Sequence, residues 1–338
     1  MKQELTLLTK SKTPKLVKIT EASGIPLIGC LPFGVIDRGS NLLQVRTATF
    51  CNMRCPFCST SANDSKRHPV NYQVNINYLL RWVKEVVEFK DCDVEINIDS
   101  FGEPSAYPKL VELVKGVRAL EKVKVVSMQS NGTLFNEKII KDLENAGLTR
   151  INLSLHTLDK EKGKLLFGMP TYNLDKVLEN VMLINESKIE LCLTPVLIPG
   201  VNEDDVKGVI KFSKELKCRI GIQKYEVHKT GRKMKNVKEM TYWKFYKKLE
   251  EWEKEFDVKL KIGPNDYKIF RRKAIPKEFN KDEIVNVEVK KEGWQKDQMI
   301  GVAKNRVITL INCSKPIGSR VKAKIVSDKN NIFIAKLL

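Results

Sequence analysis

The sequence predicts an α/β fold in two parts, a partial (β/α)6 barrel followed by a small all-β barrel of OB-like size. From residue 42 to residue 225, short apolar runs with strand-like alternation are separated by stretches with apolar residues at helical spacing. From Ile284 onward, the pattern changes to short β-rich runs with turn residues between them. The first pattern is typical of a parallel sheet with helical crossovers, and the second is typical of a small β-barrel.

Six runs account for the strands of the predicted partial barrel. Because helical stretches separate them, we expect parallel strands joined by right-handed crossovers. Six strands are too few for a closed barrel of eight, so the sheet is expected to stay open. Polar residues follow these strands, at the carboxyl ends where the sites of parallel sheets gather. The six runs begin at Leu42, Asp93, Val123, Arg150, Ile189 and Arg219.

The chain of 338 residues carries a formal net charge of +19. Such an excess of cations predicts a polyanionic partner, either nucleic acid or an anionic membrane surface. A lysine-rich composition of the hyperthermophilic kind would explain many lysines, but not their excess over acidic residues. No apolar run is long enough to span a membrane, and the charged start lacks the apolar core of a signal peptide. We therefore expect a cytoplasmic protein that does not act at a membrane.

Three cysteines, Cys51, Cys55 and Cys58, lie in the loop after the first predicted strand. Because the chain is large and shows no secretion signal, clustered cysteines indicate metal ligation rather than disulfides. Thiolates suit both zinc and iron–sulfur clusters. His68 follows at a distance that would allow it to be a fourth zinc ligand. The residues near the cysteines are compatible with either a zinc site or an iron–sulfur cluster.

The cysteine spacing, with the aromatic Phe57 before the third cysteine, resembles the radical S-adenosylmethionine (radical SAM) superfamily. This resemblance implies a TIM-like partial barrel and a [4Fe–4S] cluster held by Cys51, Cys55 and Cys58. It also implies S-adenosylmethionine on the fourth iron, an electron donor such as ferredoxin or flavodoxin, and reductive cleavage to a 5′-deoxyadenosyl radical. Phe57 matches a position whose backbone contacts adenine in that family.

Motifs after the later strands extend the resemblance. Residues 100–104, Ser-Phe-Gly-Glu-Pro, resemble the second-strand motif, although Ser-Phe replaces its first glycine. Residues 129–132 resemble the end of the third strand, and residues 195–203 resemble the fifth-strand motif. Residues 27–39 and 221–232 are similar to an archaeal subgroup of radical SAM iron–sulfur oxidoreductases. The cofactor-binding residues implied by the resemblance are Phe57, Gly102, Glu103, Ser130, Asn131, Ser154, Ile198 and Gly200.

No catalytic residue has a signature of its own. Tyr225 follows the sixth predicted strand and His156 the fourth, so both are candidates to face the substrate. A histidine there would be suited to proton transfer. Cys192 is a candidate thiol for methyl transfer through a cysteine. For each of the three, a buried structural role is the alternative.

The C-terminal runs around residues 300–307 and 318–325 resemble a TRAM domain, a small RNA-binding barrel attached to RNA-modifying enzymes. The resemblance implies RNA, above all tRNA, as the partner. Alternation places residues 320, 322 and 324 on one strand face. A basic β-domain that serves only as a lid is the alternative. The candidate phosphate-binding residues are Lys304, Arg306, Arg320, Lys322 and Lys324.

These patterns divide the chain into four segments. We expect an N-terminal extension packed on the core (1–40), the radical SAM partial barrel (41–228), a basic helical extension with a linker (229–276) and the TRAM-like barrel (277–338). The leading hypothesis is a radical SAM enzyme that modifies RNA, with methyl transfer, another group transfer or a rearrangement left open. The alternatives are a radical SAM enzyme for a small metabolite or peptide, and a non-catalytic RNA-binding protein with a structural cluster.

Overall fold

The computed structural model describes residues 14–338. Its first part contains eleven strands in this described range, all before the basic segment that begins at residue 229. The strands are β1 (Lys15–Ile19), β2 (Gly34–Asp37), β3 (Leu42–Arg46), β4 (Val70–Val74), β5 (Val94–Asp99), β6 (Val123–Ser130), β7 (Arg150–Leu153), β8 (Glu190–Leu193), β9 (Val196–Leu197), β10 (Arg219–Ile220) and β11 (Gln223–Lys224).

The main sheet has seven strands in the order β10-β8-β7-β6-β5-β3-β2. All neighbouring pairs are parallel except β2 with β3, which is antiparallel. The six parallel strands are those that the sequence predicts, so the partial TIM-like barrel is confirmed. β9 and β11 extend β8 and β10 as a separate parallel pair, because the fifth and sixth predicted strands are each interrupted.

Helices cover the outer side of this sheet. Asn75, Asn136 and Asn173 cap three of them by accepting hydrogen bonds from backbone N–H groups of the first turn. Their apolar faces are buried against the strands. The helices are α1 (Ile76–Phe89), α2 (Leu110–Arg118), α3 (Glu137–Ala146), α4 (Lys160–Phe167), α5 (Leu174–Glu186), α6 (Glu203–Glu215) and α7 (Tyr242–Phe256).

The N-terminal extension and the predicted linker both pack on the barrel. β1 pairs in parallel with β4, while residues 1–13 of the predicted N-terminal extension lie outside the described residues. In the predicted linker, the carbonyl of Lys273 accepts a hydrogen bond from Nζ of Lys90 at 2.5 Å. Lys90 is fully buried and forms an ion pair of 3.0 Å with Asp37, whose carboxylate also accepts from the Ile275 N–H. The segment 271–276 is therefore hydrogen-bonded to both partners of this ion pair, Lys90 and Asp37.

The C-terminal part is a closed five-stranded barrel in the order β12-β13-β14-β16-β15. β14 and β16 are parallel, and the other neighbours are antiparallel. Phe279 and Phe333 meet edge to face inside it, with ring centroids 5.2 Å apart. The predicted small barrel is confirmed, with its last strand a few residues later than expected. The strands are β12 (Ile284–Glu292), β13 (Gln298–Ala303), β14 (Arg306–Ile311), β15 (Arg320–Ser327) and β16 (Ile334–Leu337).

The small barrel has a core of its own, and three of its side chains are buried in the core of the large barrel. Trp294, Ile300 and Val307 of the small barrel belong to the same buried cluster as the strands of the large one. Backbone hydrogen bonds join Val307 N to Ile28 O at 2.8 Å and Phe333 N to Gly29 O at 3.1 Å. A Cβ atom on Gly29 would lie 2.3 Å from the Val307 carbonyl oxygen, so this contact requires glycine. Across residues 14–338, no helix combines the length and apolarity needed to cross a bilayer.

Candidate active site

The three predicted metal ligands face a single cavity at the carboxyl ends of the parallel strands. Cys51, Cys55 and Cys58 lie in the loop between β3 and β4, which we call the cysteine loop (residues 50–68). All three line a cavity of about 320 Å³, here called the cysteine cavity. None of them is in a disulfide. The sequence prediction that these thiols converge is therefore consistent with the geometry.

The chemistry of this donor set fits a thiolate-ligated metal centre. Burial, and next the charge of Glu103, raise the pKa of Cys51 to about 12. Burial also raises the pKa of Cys55 far above its usual value, and the neighbouring Cys58 and Cys51 add to the rise. Three thiolates this close together repel one another unless a cation balances their charge. A bound metal deprotonates its thiol ligands outright and supplies that charge.

The zinc alternative requires His68 as a ligand, and the structure uses His68 elsewhere. Its ring stacks on Trp294 with centroids 3.7 Å apart, and Nδ1 lies 3.1 Å from the Trp294 carbonyl oxygen. His68 does not line the cysteine cavity. Within the described residues, no three His, Cys, Asp or Glu side chains close around one metal ion. An iron–sulfur cluster instead distributes its thiolate ligands over separate irons.

Gly231 and Arg232 hold the cysteine loop from one side. The backbone N–H of Arg232 donates to Cys58 O at 2.8 Å, and its guanidinium donates to Cys55 O at 3.3 Å and to Ala62 O. A Cβ atom on Gly231 would lie 2.8 Å from Cys58 O, so the close approach favours glycine. These two residues fix the backbone that carries two of the thiols.

The loop after the third parallel strand holds the cysteine loop from another side. Asn131 Nδ2 donates to Asn52 Oδ1 at 2.8 Å, and Asn52 Nδ2 donates to Thr133 Oγ1 at 2.7 Å. The end of α4 adds a third contact, since Arg54 N donates to Phe167 O at 2.9 Å. Together these bonds pre-organise a segment that has no regular secondary structure of its own.

Gly102 lies where only glycine fits. A Cβ atom there would lie 1.8 Å from the carbonyl oxygen of Phe50, the residue before the first cysteine. The next residue, Glu103, donates its N–H to the same oxygen at 2.8 Å. The second-strand motif is thus packed directly against the cysteine loop.

Glu103 is buried at the wall of the cysteine cavity. Its carboxylate accepts four hydrogen bonds, from Ser105 N at 3.0 Å, Ser105 Oγ at 2.6 Å, Ser130 Oγ at 2.8 Å and Asn131 N at 2.8 Å. Burial raises the pKa of Glu103, and these hydrogen bonds oppose the rise. Glu103 therefore joins the second and third strand ends, a role that the sequence did not predict.

The other predicted cofactor-binding residues divide into two groups. Ser130, Asn131 and Ser154 line the cysteine cavity, together with Gly102 and Phe57. Ile198 lies behind the wall, in an apolar cluster with Phe57 and Tyr225. Gly200 is exposed, in a turn with φ of 70° before α6, and does not line the cavity.

Two of the three catalytic candidates reach the cysteine cavity. His156 lines it, between the edge of Phe57 and the face of Phe167. Its Nδ1 accepts a hydrogen bond from Val196 N at 3.1 Å, and burial lowers its pKa to about 3, so the ring is neutral. Tyr225 also lines the cavity, and its hydroxyl accepts from Met234 N at 3.1 Å.

Cys192 does not reach the cysteine cavity, so its candidacy as a catalytic thiol is corrected. It is fully buried on β8, with Sγ 3.6 Å from the Tyr267 hydroxyl, and burial raises its pKa. The sequence did not indicate the contribution of three residues that shape the site: Trp294, Gly231 and Gly168. A Cβ atom on Gly168 would lie 2.2 Å from Arg54 O. Gly231 and Arg232 lie in residues 221–232, which resemble the archaeal subgroup, but that resemblance gave them no role in the site.

The predicted phosphate-binding residues differ in their exposure. Arg320 and Lys322 are exposed on β15, while Lys324 is half-buried and pairs with Asp282 at 2.9 Å. Ala323 and Ile325 on the same strand are fully buried, as the alternation predicts. Lys304 is exposed in the turn between β13 and β14.

Arg306 is the exception among them. It is 9% exposed and lies 3.6 Å from Glu278, so it is not available to a phosphate group. Strand alternation did not reveal this, because Glu278 precedes the first strand of the barrel, β12.

Comparisons with known proteins agree with this geometry. An uncharacterized protein of Methanocaldococcus jannaschii is 38% identical over 97% of this chain and 82% of its own length. The GTP 3′,8-cyclase of Aquifex aeolicus is 28% identical over 54% of this chain, and the match spans 55% of the cyclase. The chain thus covers about half the length of that enzyme. The crystal structure of Streptococcus suis SuiB bound to S-adenosylmethionine has a TM-score of 0.51 at 20% identity, over 64% of this chain and 48% of SuiB.

The model of the radical SAM superfamily matches residues 45–213, which contain the cysteine loop and the strand-end motifs described above. The cofactors of this superfamily are a [4Fe–4S] cluster and S-adenosylmethionine, and its members typically need an electron donor. Cys51, Cys55 and Cys58 are the thiols that fit the cluster. The chain belongs to the radical SAM superfamily of enzymes.

Proposed function

We propose that this enzyme modifies RNA, with tRNA as the expected class, and that the small barrel is a TRAM-like RNA-binding domain. When bound, the cluster and S-adenosylmethionine supply a 5′-deoxyadenosyl radical in the cysteine cavity. Gly231 and Arg232 hold the loop of cluster ligands, and Glu103 fixes the neighbouring strand ends. The neutral His156 and the buried Tyr225 shape the wall of the cavity.

The observation that carries the proposal is a set of unpaired cations beside this cavity. The segment 229–238 follows directly on Tyr225 and His228, which line the cavity. Val237 packs with Phe57 and Tyr225, and Met234 N donates to the Tyr225 hydroxyl, so the segment lies against the cavity wall. Its lysines are exposed and make no ion pair with any residue in the range 14–338. These mouth lysines are Lys229, Lys233, Lys235 and Lys238.

Unpaired lysines beside an active site favour a substrate with several phosphates. Cations that contact nucleic acid release its counterions, which makes affinity depend steeply on salt. Arg320 and Lys322 on the small barrel offer a second set of exposed cations without an ion pair in the described structure. A target base must be unpaired or flipped out to reach the cavity.

Mass analysis of nucleosides from tRNA and rRNA of a deletion strain tests the proposal. We expect one modified nucleoside to disappear and to return on complementation with the full-length gene. In vitro, the reconstituted enzyme should restore it on RNA from that strain. If the nucleoside profile is unchanged, RNA is not the substrate.

Charge reversal tests the role of the mouth lysines in the full-length protein. Replacing Lys233, Lys235 and Lys238 by Glu should weaken RNA binding and flatten the log–log salt dependence by roughly 2 to 3. The control is the same change of charge at Lys138, Lys141 and Lys160 on the outer helices, which form ion pairs of their own. Equal effects of both triple variants would mean that only overall charge matters.

A second candidate is an enzyme that acts on a small metabolite or peptide. The GTP 3′,8-cyclase of Aquifex aeolicus is named for a free nucleotide, and free nucleotides would also find cations at the mouth. Cleavage of S-adenosylmethionine stimulated by a free nucleotide, but not by RNA from the deletion strain, would favour this candidate. Membership of an enzyme superfamily argues against the non-catalytic alternative.

A further inference from the structure

A second chamber lies inside the barrel beside the cysteine cavity. It has a volume of about 340 Å³, and Gln129 and Gln223 line both spaces. Its far wall is formed by Glu95 and Arg150 near the starts of their strands, and α7 contributes Phe245. We propose that this inner chamber binds the nucleobase of the substrate, a step that rests on the proposed function.

The volumes indicate why a second space is needed. The cysteine cavity, at about 320 Å³, is close to the lower limit of roughly 300 Å³ for pockets that hold a drug-sized ligand. S-adenosylmethionine is of that size and is the expected occupant. The group that reacts must lie next to it, and the inner chamber is in contact with the cysteine cavity along Gln129 and Gln223.

Unpartnered polar atoms in the chamber point to a ligand. Asn152 lines it and is only 7% exposed. A polar side chain buried to this extent is normally hydrogen-bonded. The side-chain amides of Gln129 and Asn152, also in the lining, make no hydrogen bond with the described protein and offer both donors and acceptors.

The charged residues that line the chamber indicate what kind of ligand it can bind. Within the described lining, Glu95 and Arg150 carry its charges, and they form an ion pair with each other. No cation is left to balance a phosphate or carboxylate there, and an unbalanced buried charge is costly. Tyr267 provides an aromatic wall, with the Arg150 guanidinium 4.6 Å from its ring centroid. A neutral, flat ring with donors and acceptors, as in a nucleobase, meets these conditions.

The chamber is neutral and its surroundings at the mouth are basic, and a nucleotide likewise has a neutral base and charged phosphates. The neutral chamber would take the base, and the mouth lysines outside would take the phosphates of the backbone. Gln129 and Gln223, at the boundary, would then face the ring or sugar atom nearest the cysteine cavity. This arrangement assigns base recognition to the inner chamber and backbone binding to the exposed cations.

Gly221 offers a way to fill the chamber without disturbing the cluster. It lines the chamber, and its backbone is not in the left-handed region. A Cβ atom there would meet the Tyr267 hydroxyl at 3.5 Å and Cys192 Sγ at 3.7 Å, which are ordinary contacts. Gly221→Ala is therefore a control that keeps the fold, whereas Gly221→Phe adds a ring to the chamber wall beside Tyr267 and Thr194.

The test is equilibrium dialysis of the four unmodified ribonucleosides against the full-length, reconstituted enzyme with S-adenosylmethionine. We expect at least one nucleoside to bind, with affinity lowered by roughly tenfold or more in Gly221→Phe and by less than about twofold in Gly221→Ala. Asn152→Leu should also weaken binding by roughly tenfold, without lowering the melting temperature of the ligand-free protein, because its side-chain amide has no hydrogen-bond partner in the described protein.

The outcomes separate the chamber from the proposed function. Absence of nucleoside binding, or undiminished binding in Gly221→Phe, would overturn the assignment of the chamber. Preferential binding of inorganic phosphate or a free carboxylate at this site would overturn its neutral character. If nucleosides bind as expected but RNA of the deletion strain is unchanged, the RNA proposal fails and the chamber assignment stands. If the Gly221→Phe variant modifies RNA as well as the wild type does, the RNA proposal stands and the chamber assignment fails.

Discussion

Cys51, Cys55 and Cys58 differ from the other cysteines in their surroundings more than in their exposure. Cys92 is also half-buried, yet it does not line the cysteine cavity. We expect Cys55→Ala to lose the cluster, because three thiolates are needed to hold it. Iron and sulfide analysis after anaerobic reconstitution measures this loss. Cys92→Ala is the matched control and should keep a full complement of iron, and equal iron content in both variants would contradict the assignment.

His156 predicts a pH dependence of stability. Its pKa is lowered from 6.5 to about 3 in the folded protein, so the unfolded chain binds one more proton between these values. Stability should therefore fall as pH falls below about 6.5, and this residue should account for roughly 2 kcal/mol between pH 7 and pH 5. Urea unfolding of the metal-free protein at both pH values measures it.

His156→Asn supplies the comparison for that measurement. The amide oxygen of asparagine can accept the Val196 N–H but does not titrate, so the loss of stability toward pH 5 should be smaller by that amount. Identical pH dependence in wild type and variant would mean that folding does not lower the pKa of His156, so that the ring is already protonated at pH 5 in the folded state.

Gly102 and Arg232 show which parts of the site were predictable. Gly102 belongs to the short motif of residues 100–104, which can be recognised in the sequence alone. The close contact with Phe50, at the end of the neighbouring strand, requires a glycine there. The roles of Arg232 and Trp294 depend on contacts with residues far away in the chain, which no local pattern encodes. Cys192 was predicted as a candidate because the sequence gives no measure of its distance from the cysteine cavity.

At the scale of elements, the parallel strands were predictable because their apolar alternation is continuous. α4 was missed, since its buried side chains, Leu166 and Phe167, are adjacent at its end and do not recur at helical spacing. β1 was missed as well, because it forms a separate pair with β4 outside the main sheet. Each error concerns an element whose partner, rather than its own sequence, stabilises it.

The connection between β12 and β13 ties the small barrel to the active site through one side chain. Trp294 stacks on His68 of the cysteine loop and meets the ring of Phe101 edge to face, with centroids 4.7 Å apart. Phe101 precedes Gly102, and its carbonyl accepts a hydrogen bond from Thr60 at 2.9 Å. Trp294 is therefore a positioning residue for both loops around the cysteine cavity.

We expect Trp294→Ala to destabilise the protein by about 3–5 kcal/mol and to weaken binding of S-adenosylmethionine. Trp294→Phe should recover most of the affinity, because an aromatic ring remains between the two loops. Calorimetry for cofactor binding and thermal unfolding measure the two effects. Trp243→Ala is the control, since Trp243 is 68% exposed. If Trp294→Ala loses stability but binds the cofactor as tightly as wild type, the loops are positioned without the small barrel.

At the scale of the whole molecule, the sequence predicts a small barrel attached through a linker, and packing makes it part of one body. Tyr72 donates from its hydroxyl to the carbonyl of Glu292 at 2.5 Å, across 220 residues of sequence. Lys296 N likewise donates to Arg67 O at 3.0 Å. Contacts at such separations are invisible to periodicity, so composition alone suggested a boundary near residue 277. The exact domain boundaries stay predictions.

The contacts between the two barrels predict that both unfold together. Phe333 is fully buried inside the small barrel, and Phe333→Ala should cost about 3–5 kcal/mol. Because Val307, Ile300 and Trp294 of the small barrel are buried in the core of the large one, that cost should lower the melting temperature of the large barrel equally. Calorimetry should show one transition in the full-length protein, and bleaching of the cluster should shift with it. Leu165→Ala, at a residue 73% exposed on α4, is the control. Two separate transitions, with only the first lowered by Phe333→Ala, would mean that the small barrel is an independent domain and that the contacts of Trp294 are too weak to couple it to the active site.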